Sequence, residues 1–150
     1  MTPHLEALAR RAVACKGWRW MPGMLTHHPN WRAGRVSHVG LTAVRVACRY
    51  PSPVGGTEWA VPPLPITDLL PDLNDLATLG CVLALAREAW KRPTAFLYWY
   101  GGNWFFDPQQ SDPTDHPSGR TEAEALVAAL EAAPWPPNLK RWEGAPCEKR

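Results

Sequence analysis

Apolar and polar positions divide the chain into short amphipathic blocks separated by proline and glycine. Thr2 and Pro3 make a helix start: the threonine side chain can accept from a free backbone N–H, and proline's missing N–H costs nothing at the first helical position. Leu5, Leu8, Ala9 and Ala12 then share one face, and Lys16 with Gly17 supplies a C-terminal cation and a glycine for the helix end. Alternation in Trp18, Arg19 and Trp20 puts both indoles on one side of an extended segment and the guanidinium on the other.

From 21 to 33 the pattern is broken by Pro22, Gly23 and Pro29, which predicts a loop holding at most a short strand near Met24 and Leu25. Val36, Val39, Leu41, Val44 and Val46 give the next stretch a β character. Its alternation changes phase near Gly40, so a turn or bulge is expected there, with Val44, Val46 and Cys48 on one face and Arg45 and Arg49 on the other. Residues 51–71 are rich in proline and read as a surface connection pinned by Trp59, Val61, Leu64 and Ile66.

A second helix is predicted from the cap Asp75, with Leu79, Val82, Leu83, Ala86 and Trp90 at helical spacing and Lys91, Arg92 and Pro93 ending it. Its nearly continuous apolar surface marks it for deep burial. The segment from Ala95 to Phe106 reads as a hairpin turning at Gly101 and Gly102, with Trp99 opposite Trp104, Leu97 opposite Phe106 and Tyr98 opposite Phe105. Both of its faces are apolar, which predicts a covered sheet more readily than a binding face. After a loop over 108–119, Thr121 and Glu124 form a capping box ahead of Leu126, Ala129, Leu130 and Ala133, the third helix.

These elements predict an α+β fold: a small, mainly antiparallel sheet with helices packed on its faces, a three-layer α/β/α sandwich. One domain over 1–133 is expected, followed by a proline-containing tail over 134–150 that carries Trp135 and Trp142. Composition adds a few exclusions. Sixteen basic against 14 acidic residues leave a net charge of +2, too balanced for a duplex nucleic-acid partner. No apolar run approaches the roughly 20 residues that span a bilayer, and the N-terminal residues lack a charged region followed by an apolar one, so the expected location is the cytoplasm, with no membrane partner. Cys15, Cys48, Cys81 and Cys147 are scattered, without the spacing of a zinc site.

The succession of a helix ending in Gly17, Trp18, Arg19 and Trp20, a strand region, a capped helix ending in Ala89 and Trp90, an aromatic hairpin and the Ala/Leu-rich helix over 121–130 resembles the small phage-encoded proteins grouped as the phage ABA sandwich domain. The likeness covers most of residues 2–133 and departs from the family in the proline-rich stretch at 51–71 and in the tail. It implies a phage or prophage origin and helices on both faces of a sheet. It implies no catalytic residues.

Candidate chemistry is sparse. Cys15 or Cys48 with His27, His28, His38 or His116 would have to supply a nucleophile and base, and no local motif supports any such pairing. Asp68, Asp72, Asp75, Asp112 and Asp115 sit where caps and turns explain them. His27, His28 and His38 are conceivable metal ligands, but neighbouring histidines in such a stretch are more often solvated. Gly55 and Gly56 lack the basic residue and helix of a phosphate loop.

Interleaved tryptophan and arginine stand out: indoles stack on bases and guanidinium groups hold phosphates. The candidate ligand-binding residues are therefore Trp18, Arg19, Trp20, His28, Trp31, Arg32 and Arg35. Trp18 and Trp20 are better explained as the attachment of the first helix to the sheet, and Trp31, Arg32 and Arg35, in a stretch without core periodicity, are the better ligand candidates. The expected function is a non-enzymatic, cofactor-free, phage-encoded protein that sequesters a small cyclic nucleotide-derived signal of host defence, at a site shared within a homo-oligomer. The alternatives are a module that inhibits a host protein directly, or a virion accessory protein.

Overall fold

A computed structural model describes residues 1–28, 31–40, 43–52, 56–60, 63–65, 69–108 and 115–135; for residues 28, 31–33, 38, 43–45, 47–52, 56–60 and 63–65 it describes the backbone alone. Helix α1 (Pro3–Ala14) starts as expected, with the Thr2 hydroxyl accepting from the Leu5 N–H at 3.3 Å and Leu8, Ala9 and Ala12 buried. Six strands follow: β1 (Leu25–His28), β2 (Trp31–Val39), β3 (Ala43–Ser52), β4 (Gly56–Ala60), β5 (Pro63–Pro65) and β6 (Leu70–Pro71). They form one sheet in the order β4-β3-β2-β1-β6, with β5 also on β3, and every pairing is antiparallel.

The phase change near Gly40 separates β2 from β3, and a bulge between Val36 and His38 shifts their register. Two stretches differ from expectation. Residues 21–33 hold β1 and the start of β2, because the pairing rests on polar groups as well as apolar ones: Thr26 is buried beside Met24, and its hydroxyl donates to the Gly34 carbonyl at 3.0 Å. The proline-rich 51–71 contributes β4, β5 and β6. Pro63 and Pro65 fit a strand because β5 continues the register of β4 along the outer side of β3, at the sheet edge, where a missing N–H is tolerated. The side chains proposed to pin that stretch, Trp59, Val61, Leu64 and Ile66, lie outside the described residues.

Helix α2 (Leu76–Ala89) is capped by Asp75, which accepts from the Thr78 N–H at 2.9 Å. Its buried stripe is Thr78, Val82, Leu85, Ala86 and Ala89, and Leu76 is left exposed. Lys91 adopts a positive φ of 53°, with Arg92 N–H donating to the Arg87 carbonyl and Lys91 N–H to Glu88, the hydrogen-bond pair that closes a helix C-terminus before Pro93. Strands β7 (Phe96–Tyr100), β8 (Asn103–Asp107) and β9 (Ser118–Gly119) form a second antiparallel sheet in that order. The expected hairpin register is found, Trp99 to Trp104, Leu97 to Phe106 and Tyr98 to Phe105, around Gly101 and Gly102, whose φ values of 57° and 88° suit glycine.

Helix α3 (Glu122–Ala132) carries both halves of the capping box between Thr121 and Glu124. It packs on α1, α2, β8 and β9. At the β9 end the backbone of Gly119 runs so close to α3 that a Cβ there would lie 2.3 Å from the Glu124 Cβ. The fold is thus α+β, and its antiparallel strands divide between two sheets separated in sequence by α2. One hydrophobic core joins them: Val36 and Val46 from the first sheet with Met24 just before β1, Phe106 from the second, and Leu8, Val82, Leu85, Leu126 and Leu130 from the helices. Among the described residues, no helix is long and apolar enough to cross a membrane.

Candidate functional site

The tryptophan and arginine cluster at 18–35 is where the sequence places a ligand. Trp18 and Trp20 are 8% and 3% exposed and meet edge to face, with ring centroids 5.6 Å apart and planes at 85°. Neither presents a free face for stacking. Arg19 projects from between them and forms a bidentate pair with Glu88 of α2, one arm measuring 2.9 Å. That hydrogen bonding raises the Arg19 pKa and lowers that of Glu88. The alternation read from the sequence is therefore real, and both of its sides are engaged within the chain.

Arg35 is engaged too. Its guanidinium donates to both carboxylate oxygens of Asp75, at 3.0 and 2.7 Å, and to the Gly23 carbonyl at 2.8 Å. The hydrogen bond from Arg35 leads the forces that hold the Asp75 carboxyl down at about 2, helped by the N–H and hydroxyl of Thr78, against partial burial. The Thr78 hydroxyl in turn accepts from the Leu25 N–H at 2.8 Å, so the start of α2 is stitched to β1 and β2.

His28 and Trp31 are register partners across the β1–β2 pair, and Arg32 follows Trp31 in β2. The side chains of His28, Trp31 and Arg32 lie outside the described residues. Of the seven candidates, then, two lie in the core, two are held in ion pairs by carboxylates distant in the chain, and three are brought together at one end of the β1–β2 hairpin by backbone register.

The other candidates for chemistry have structural partners. His27 Nε2 lies 2.9 Å from Asp72, which also accepts from the Asn74 N–H. No group of three His, Cys, Asp or Glu side chains able to hold a metal occurs among the described residues. Burial pushes the Cys15 thiol up to about 11, the opposite of what a nucleophile needs. Beside it, at the C-terminal ends of α1 and α3, lies an open cleft of about 480 Å³ bordered by Arg11, Lys16, Glu131 and Trp135. The Arg11 guanidinium there is bidentate to Glu131, at 2.9 and 2.7 Å.

The hairpin departs most from expectation. Trp99 and Tyr100 are 62% and 73% exposed and Phe96 44%, although both faces of the segment are apolar in sequence. The face carrying Leu97 and Phe106 turns inward at the hairpin base, where Phe106 is fully buried and meets Trp90 at 6.1 Å between ring centroids, while Trp99, on the same face nearer the turn, stays exposed. The opposite face displays Phe96, Tyr98 and Tyr100 in one row, with Phe105 beside Tyr98. Tyr98 and Phe105 stack with centroids 5.3 Å apart at 17°, and Phe96 leans on Tyr98 at 6.1 Å.

The row is held in place from below. His116, nearly buried, meets the Tyr98 ring edge to face and lies 3.3 Å from its hydroxyl through Nδ1. His116 Nε2 is 3.8 Å from Asp107 and has no hydrogen-bond partner among the described residues. At the hairpin base, Arg87 of α2 donates to the Ala95 carbonyl at 2.6 Å. The result is a rigid platform of aromatic rings that is part wet. The sequence pattern lists these rings but gives no sign of which face the helices leave open. No known family model, curated protein or solved structure matches the chain.

Proposed function

We propose that the chain is a non-enzymatic binding protein whose working surface is the aromatic row Phe96, Tyr98 and Tyr100, and that its partner is another protein. The observation that carries this reading is the exposure of Phe96 and Tyr100, 44% and 73%, at the two ends of a row whose middle ring, Tyr98, is braced by Phe105 and His116. Exposed aromatics grouped on a rigid element are costly to leave in water and are the residues that dominate protein interfaces. The resemblance to the phage sandwich proteins, carried by Gly17 to Trp20 and by the order of elements, supports a host protein as that partner and the host cytoplasm as the place of action. On this reading the protein is a phage-encoded inhibitor that blunts a host defence by occupying a partner's surface.

The test is a pull-down from host lysate using the unsubstituted chain, a Phe96→Ser/Tyr100→Ser variant and an Arg19→Ala variant. One stoichiometric partner retained by Arg19→Ala and lost by the double variant supports the reading. A partner that the double variant retains would overturn it.

A second reading, sequestration of a small cyclic nucleotide, is favoured by one observation: the register that sets His28 opposite Trp31, next to Arg32. The engagement of Arg19 and Arg35 with carboxylates weighs against the rest of that site. Calorimetry against cyclic mono-, di- and trinucleotides and cyclic ADP-ribose variants tests it, and the absence of heat at high micromolar ligand would sink it.

A further inference from the structure

Strand β7 ends its sheet: the order is β7-β8-β9, and among the described residues nothing pairs with its outer side. An open strand edge is a template for another strand, and proteins ordinarily blunt it with lysine, proline or a bulge. Over Phe96–Tyr100 there is no charge and no proline, and the pairing with β8 is in unbroken register. The two-residue turn fixes which backbone groups face outward. Tyr100 with Asn103, Tyr98 with Phe105 and Phe96 with Asp107 are the hydrogen-bonded pairs of the hairpin, so the N–H and C=O groups of Leu97 and Trp99 point to the free edge. The alternation is checked on β8, where the Phe106 N–H turns the other way and donates to the Pro117 carbonyl at 2.8 Å.

We propose that two copies of the chain associate edge to edge through β7, antiparallel and centred on Tyr98. In that register Leu97 of one copy and Trp99 of the other exchange both backbone hydrogen bonds, and the symmetry repeats the exchange. Phe96 lies across from Tyr100 of the second copy, and Tyr98 across from Tyr98. The strand is self-complementary, since aromatic meets aromatic on one face and leucine meets tryptophan on the other, and no like charges are set opposite each other.

The exposed surface also fits this partner. Phe96, Trp99 and Tyr100, at 44%, 62% and 73% exposed, leave roughly 350 Å² per copy if an aromatic side chain offers about 150–250 Å². A symmetric pair therefore has about 700 Å² of aromatic surface to draw on before Leu97, Tyr98 and the edge backbone are counted, which sets it below the roughly 1,200 Å² of stable complexes and among weak, concentration-dependent ones. Pairing joins the two three-stranded sheets into one and aligns two aromatic rows as a single platform. The inference goes beyond partner binding and does not depend on it.

Sedimentation of the full chain from low micromolar to near-millimolar concentration is expected to show mass rising from one copy toward two. Trp99→Pro removes an outward N–H at an exposed position and leaves the β7–β8 ladder intact, so it is expected to abolish the rise; Trp99→Lys serves if the proline variant fails to fold by circular dichroism. Phe96→Cys/Tyr100→Cys places the two sulfurs across a non-hydrogen-bonded pair, with Cα atoms about 4.5 Å apart, within disulfide reach. Mild oxidation is expected to link copies of this double variant, whereas Phe96→Cys alone, some 13 Å from its own symmetry mate, stays near the background of the unsubstituted chain. A chain that stays monomeric throughout overturns the proposal. So does self-association that survives both Trp99 substitutions, or a double variant that cross-links no better than the single one.

Discussion

Two tryptophan-bearing segments, each next to glycine, have opposite fates. Trp18 and Trp20 follow Gly17 and are buried at 8% and 3%; Trp99 precedes Gly101 and Gly102 and stands 62% exposed. The residue types are the same and the local alternation is similar. The difference lies in what the topology lays over them. The first segment leaves α1 inside the shared core, whereas the second lies near the tip of a hairpin, on β7, the end strand of its sheet. An indole is thus structural or available according to its position among layers, and its neighbours in sequence do not decide which.

The contrast can be tested in descending order of effect. Trp20→Ala is expected to cost about 3–5 kcal/mol in urea unfolding, the range for deleting a large buried aromatic, whereas Trp99→Ala should stay within roughly 0.5 kcal/mol. Equal losses at the two sites would break the comparison.

Next comes Asp75, which ties the start of α2 to the first sheet. Asp75→Ala should cost about 1–2 kcal/mol from the cap alone. Because Arg35 holds this carboxyl at about 2 against an ordinary 3.8, its contribution is complete above 3.8 and is lost as pH falls through 2. Asp75→Asn keeps a capping acceptor and should flatten that acid limb in a pH series of melting curves.

Smallest is Arg19→Ala. It breaks a pair whose side chains are 42% and 58% exposed, and so should cost only about 0.2–1 kcal/mol, less at high salt. A larger loss would mean that the guanidinium does more than pair with Glu88.

Legibility followed the range of the forces involved. Caps, helical faces and the Gly101–Gly102 turn are set within a few residues, and Thr2, Asp75, Thr121 and the hairpin register were all readable. Strands β4, β5 and β6 were not, since proline masks an edge strand whose stability comes from its pairing with a distant segment. The candidate site was legible only as a composition. Glu88 and Asp75, which take up Arg19 and Arg35, lie 69 and 40 residues further along, and no spacing rule joins them. The open aromatic face was hidden for the converse reason, because an exposed row of rings looks the same in sequence as a buried one.

The Asp75 carboxylate carries one more consequence. It accepts from the first turn of α2 through Thr78 and from Arg35 of β2, while the Thr78 hydroxyl accepts from the β1 amide of Leu25. Fraying that helix end therefore releases the sheet's hold on it, and opening the sheet uncaps the helix. The amides of Leu25 and Thr78, which lie in separate elements, should exchange with solvent as one unit, and Asp75→Ala should speed both together.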